Sequence, residues 1–132
     1  MINSHAKMFL IDDVKIMCPQ FDAKKYAHIP KRKNNAFIEC NVTIDESSKE
    51  LAILVLNKYF SQDTSVSFTL NNFDPASEGN WYQLYSNSPF DYNTKENPQK
   101  ISIEVKKMDF LSKRFEITLE PHSFSILKLK HK

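Results

Sequence analysis

Phe37-Ile38-Glu39-Cys40-Asn41-Val42-Thr43-Ile44 alternates strictly, with Ile38, Cys40, Val42 and Ile44 on one face. Successive side chains of a strand point to opposite faces, so this period marks a half-buried strand. The polar run Asp45-Glu46-Ser47-Ser48-Lys49-Glu50 then reads as a turn. Leu51-Ala52-Ile53-Leu54-Val55-Leu56 follows and is apolar on both faces. Only a strand in the middle of a sheet can use such a run.

The same period recurs toward the C-terminus. Val66, Phe68 and Leu70 alternate, and Asn71-Asn72-Phe73-Asp74-Pro75 ends that run. Trp81-Tyr82-Gln83-Leu84-Tyr85 reads as an aromatic strand, and residues 87–100 as a long polar loop holding Pro89 and Pro98. Ile101, Ile103 and Val105 alternate, as do Phe115, Ile117 and Leu119. Pro121 breaks the chain before a last strand over residues 123–130. About seven short strands after residue 37, separated by turns, predict an all-β fold. The expected architecture is an antiparallel β-sandwich, jelly-roll-like, of about seven to nine strands.

Residues 1–36 read as a connecting segment to a sandwich domain over 37–132. Ser4 can begin a short helix over residues 3–12, or the segment can supply an edge strand. Residues 14–17 have strand character. Residues 24–35 carry Lys24, Lys25, His28, Lys31, Arg32 and Lys33 without periodicity and read as an exposed connection. No aromatics are interleaved there to stack bases, and the net charge is only +2, so no nucleic-acid partner is expected.

Composition removes further classes. Gly79 is the only glycine in 132 residues, where about nine would be usual. Phosphate-cradling loops and nucleophile elbows need several, so both are excluded. Turns must be made by Asn, Asp, Ser and Pro, in loops longer than two residues. Gly79 precedes Trp81, which predicts a positive φ at the entry to the aromatic strand. No apolar run reaches the roughly 18 residues that span a membrane. Cys18 and Cys40 are expected to be free thiols, in keeping with a cytoplasmic location.

Chemistry is sparse. His5, His28, His122 and His131 form no metal-ligand spacing, so neither metal nor cofactor is expected. His122 and Ser123 are adjacent, and strand neighbours point apart, so they form no nucleophile–base pair. Glu78, Glu96, Glu104, Glu116 and Glu120 show no pairing for glycoside hydrolysis. The alternative to a catalytic role is sugar binding. Trp81 and Tyr85 share a strand face with Gln83 between them, and such rings either stack on sugars or fill a core.

Four segments, taken in order, carry a resemblance. They are Glu50-Leu51-Ala52-Ile53-Leu54-Val55-Leu56-Asn57-Lys58, Val66-Ser67-Phe68-Thr69-Leu70-Asn71-Asn72-Phe73, Asn93-Thr94-Lys95-Glu96-Asn97-Pro98, and residues 119–129 with Pro121-His122-Ser123. Together they resemble the C-terminal β-sandwich domain of the alpha-L-arabinofuranosidases, family 51 of the glycoside hydrolases. The resemblance covers about residues 37–130. It implies structural roles for Asn57, Asn97, Pro98, Pro121, His122 and Ser123. Lys58 stands where the family usually has arginine, so a bidentate contact is lost there. The family's catalytic glutamates lie in a preceding (β/α)8 barrel of about 250 residues. The resemblance therefore implies a non-catalytic accessory domain in arabinose-containing polysaccharide breakdown. Its partners would be a catalytic barrel, a second copy of itself, or an arabinose-containing oligosaccharide.

Overall fold

A computed structural model describes the backbone of residues 8–10 and the whole of residues 14–132. Ten strands form among these residues: β1 (Met8–Leu10), β2 (Gln20–Ala23), β3 (Arg32–Ala36), β4 (Ile38–Asp45), β5 (Glu50–Asn57), β6 (Thr64–Thr69), β7 (Pro75–Leu84), β8 (Ile103–Met108), β9 (Arg114–Leu119) and β10 (Ser123–His131). There is no helix among the described residues, and so none long and apolar enough to cross a membrane.

The run that is apolar on both faces, β5, lies between β4 and β10 in a six-stranded antiparallel sheet of order β1-β4-β5-β10-β7-β8. Register aligns the inner face in rows. Val42, Ile53, Leu127 and Trp81 form one row, and Ile44, Leu51, Leu129 and Gly79 the next. The β6–β9 pair lays Val66, Phe68, Phe115, Ile117 and Leu119 against this face. The result is the expected sandwich. Ile53, Leu119, Leu127 and Leu129 are fully buried, each contributing about 1.5–3 kcal/mol.

Seven strands form after residue 37, and two of them depart from the alternation. β8 starts at Ile103 instead of Ile101, and its Ile103 and Val105 are exposed, not inward. β7 begins at Pro75, well before Trp81. A proline at the first position of a strand loses no ladder bond, so Pro75 starts this strand instead of ending the previous loop.

The first third departs further. Met8–Leu10 takes the edge-strand alternative, paired with β4 at the end of the sheet among the described residues, and is not part of a helix; Ser4 and the rest of residues 3–12 outside that strand lie beyond the described residues. Residues 14–17 form no strand. The supposed connection instead holds β3, paired with β2, and Tyr26 and Ile29 exchange backbone bonds of 3.0 and 2.8 Å at the turn. The basic residues there are all exposed. No residue of this ladder is fully buried: Phe21 and Ala23 on β2 are half-buried between exposed Gln20 and Asp22, a period too short to announce a strand.

Gly79 corrects another expectation: its φ is not positive. It lies inside β7, opposite Leu129 and Met108. A Cβ there would stand 2.9 Å from a methyl of Leu111, 2.9 Å from one of Leu129 and 3.0 Å from the Lys128 carbonyl. Close packing, not turn geometry, requires this glycine. Positive φ is carried by Ala27, Asn34, Lys49, Asn72, Phe110 and His122. Two substitutions should therefore act oppositely in thermal denaturation. Gly79→Ala should destabilise by about 1–3 kcal/mol through overpacking. Lys49→Gly, at an exposed turn position with φ 52°, should relieve left-handed strain and stabilise by up to about 1 kcal/mol. A neutral Gly79→Ala would show that the Leu111 and Leu129 side chains give way freely.

Candidate functional site

Antiparallel pairing brings the start of β4, the end of β5, the end of β7 and the starts of β8 and β10 to one end of the six-stranded sheet. There β5 must leave a buried position. Its last residue, Asn57, is fully buried. The Asn57 Nδ2 donates to the Glu120 carbonyl at 2.8 Å, and its Oδ1 accepts the Tyr59 N–H at 3.1 Å. The Ser123 hydroxyl donates to the same Glu120 carbonyl at 2.6 Å. Pro121 is buried beside them. Leaving a buried amide unpaired costs about 1–3 kcal/mol, so this hub fixes the turn into β10.

His122 follows with φ 41°. Its N–H donates to the Tyr59 carbonyl at 2.7 Å. Its ring lies between two loops, with Nδ1 2.7 Å from the Phe60 carbonyl and Nε2 2.7 Å from the Ser86 carbonyl. Carbonyls only accept, so a neutral ring serves one of them at a time and an imidazolium both. Tyr85 stacks on this ring at 5.6 Å, and Phe60 meets Phe90 edge-on at 5.9 Å.

The long loop is tied by its own polar groups. Asn93 exchanges two bonds with the backbone of Ile101, at 3.0 and 2.6 Å. The Asn97 carbonyl accepts the Lys100 N–H at 3.4 Å across the turn that Pro98 opens. Asp91 accepts from the Ser86 hydroxyl and pairs with Lys100 at 2.9 Å. Lys58, in the arginine position of the resemblance, pairs with Glu39.

The proposed sugar residues divide. Trp81 and Gln83 face the interior of the sandwich, while Tyr85 lies at the loop end on His122. The Trp81 Nε1 donates to the Ser125 hydroxyl at 2.9 Å. Lys106 stands over the indole, 4.9 Å from its centroid, and donates to the Gln83 Oε1 at 3.1 Å. Gln83 is 2% exposed, and its Nε2 has no partner. Neither Lys106 nor Ser125 belongs to a motif in the sequence. Their signal was register: both sit in the inward phase of strands flanking Trp81.

Glu104 lies 4.0 Å from Lys106 on β8, whereas Glu116 accepts from Ser67 at 3.1 Å on the other sheet. Among the described residues no cluster of His, Cys, Asp or Glu could hold a metal ion. An open depression of about 490 Å³ lies between the two sheets beside Trp81, Met108, Phe110, Leu111 and Phe115.

No family model and no curated protein matches this chain. Solved structures do. The family 51 alpha-L-arabinofuranosidase of Thermotoga petrophila RKU-1 is 21% identical with a TM-score of 0.73, over 84% of this chain and 23% of that one. The alpha-L-arabinofuranosidase of Thermotoga maritima, in complex with arabinose, is 24% identical at TM-score 0.69, over 74% of this chain and 20% of that one. The family 51 enzyme of Bifidobacterium longum is 18% identical at TM-score 0.71, over 86% of this chain and 21% of that one. At these identities the likeness establishes the fold. The chain spans about a fifth of the length of the structures it matches. The resemblance read from sequence and the structural match point to the same group of enzymes.

Asp91 offers a test of the loop end. The Ser86 hydroxyl first, then Lys100, hold its carboxyl below the ordinary value of 3.8. A depressed folded value stabilises the fold above about 3.8, and that contribution disappears as pH falls through the lowered value. Asp91→Asn should therefore lower Tm at pH 7, and the difference should vanish in strong acid. A difference that persists at low pH would exclude the carboxylate as its source.

Proposed function

We propose that this chain is a non-catalytic accessory domain that works beside a glycosidase catalytic domain in the breakdown of arabinose-containing polysaccharide. The proportion of the match carries this reading: 84% of this chain corresponds to only 23% of a family 51 enzyme. By the resemblance, the catalytic glutamates belong to a barrel outside the matched part. The polar groups at the loop end support the same reading. Asn57, Ser123, His122 and Asp91 are all engaged in holding backbone or neighbouring loop residues. A general acid or nucleophile would need an atom free to meet substrate.

The cytoplasm suits the free thiols Cys18 and Cys40, both half-buried. Burial pushes the Cys40 thiol up, away from reactive thiolate. The sugar-platform alternative is disfavoured by Lys106, which occupies one face of Trp81.

Purified chain should not turn over an aryl alpha-L-arabinofuranoside. Hydrolysis that survives contaminant controls would overturn the accessory reading. Titration with arabinan or arabinoxylan fragments to millimolar concentration should leave Trp81 fluorescence unchanged. Saturable quenching would favour the binding module instead.

A further inference from the structure

β8 is the last strand of the six-stranded sheet, and β7 is its only partner among the described residues. Its other side presents unpaired backbone groups, and its side chains are exposed from Ile103 to Lys107, with Ile103 at 65% and Val105 at 60%. Such an edge is a template for another strand. The residues along it specify which strand.

Ile103-Glu104-Val105-Lys106-Lys107 can meet its own copy antiparallel. A two-fold axis perpendicular to the sheet keeps inner faces together, so the register must be centred on a residue. Centring on Glu104 sets two glutamates against each other. Centring on Lys106 does the same with two lysines. Centring on Val105 sets each Glu104 opposite Lys106 of the second copy, and Val105 against Val105. Glu104 and Lys106 already stand 4.0 Å apart within one strand. The pairing would complete a two-by-two square of alternating charge on the inner face. On the outer face, the row Leu54-Ile126-Tyr82-Val105 would run on across the axis, while the row Leu56-Phe124-Leu84-Ile103 would end against Lys107 of the second copy.

We propose that β8 pairs antiparallel with β8 of a second copy of this chain, centred on Val105, to give one sheet through both protomers. One short edge buries less than a standard interface, so the dimer is weak, with a dissociation constant on the order of 100 µM.

Sedimentation equilibrium of the whole chain from about 10 µM to about 1 mM should show a monomer–dimer equilibrium. Glu104→Lys and Lys106→Glu should each weaken dimerisation about tenfold, since each creates two like-charge oppositions. Lys106→Glu also removes the contacts to Trp81 and Gln83, so circular dichroism must confirm folding; Glu104→Lys leaves those contacts in place. The double variant should recover to within about threefold of the original chain. In a Cys18→Ser, Cys40→Ser background, Val105→Cys should crosslink on mild oxidation and Ile103→Cys should not, because Ile103 faces Lys107. A monomer at every concentration would overturn the proposal. So would a dimer indifferent to the charge variants, which would place the contact on another surface.

Discussion

A strand buried on both faces must still end, and the way β5 ends governs the molecule. Asn57 is fully buried at that point, and its carboxamide takes the Glu120 carbonyl that also receives Ser123. Those contacts join residues far apart in sequence and fix Ser123 opposite Asn57, the first pair of the β5–β10 ladder. With that pair set, the central ladder follows to Lys130 opposite Glu50. The turn before it is then forced into a positive φ at His122, which points the ring at Phe60 and Ser86. One buried amide thus decides both the register of the core and the placement of two loops.

Legibility followed burial. Where one face is more buried than the other, as in β4 and β9, alternation marks the strands closely. Where both faces are buried, as in β5, the continuous apolar run placed the strand at the centre. Where the strands are short and burial only partial, as in β2 and β3, backbone pairing carries the ladder and the pattern gives little sign of it. Proline and glycine misled in β7 because each was read for its turn chemistry. Pro75 sits where a strand tolerates a missing N–H, and Gly79 where Leu111 and Leu129 leave no room for a Cβ. At the site, Asn57, Pro121, His122 and Ser123 come from the resemblance alone, and the fold gathers them around one turn. Lys106 was not legible, since its meeting with Trp81 depends on a register that only the folded sheet supplies.

The scarcity of glycine has a cost that the fold spreads over many turns. Left-handed backbone falls instead on Lys49, Asn72, Phe110 and others, each at a loss of up to about 1 kcal/mol relative to glycine. Local hydrogen bonding offsets part of it. Asp45 accepts from the Ser47 hydroxyl and from the backbone of Ser47 and Ser48, tightening the β4–β5 turn. The hydroxyls of Ser47 and Ser48 hold the Asp45 carboxyl below its ordinary value.

Polar groups on the inner face carry register outward from the Asn57 hub. Ser123 and Asn57 join β10 to β5 through the Glu120 carbonyl. Trp81 on β7 donates to Ser125 on β10, one step along from its direct partner Leu127. Lys106 on β8 donates to Gln83 on β7, one step along from its direct partner Trp81. Each contact is a diagonal of the ladder, which a slip of one residue would break by turning one partner to the opposite face. An apolar row alone tolerates a slip of two residues, because another apolar side chain takes the vacated place. A hydrogen-bonded diagonal does not, since a buried polar group would lose its partner. The charged residues of β8 are therefore positioned by a sequence of polar contacts that starts at the buried end of β5. The same contacts that make the interior specific determine which charges the sheet edge presents to a second chain.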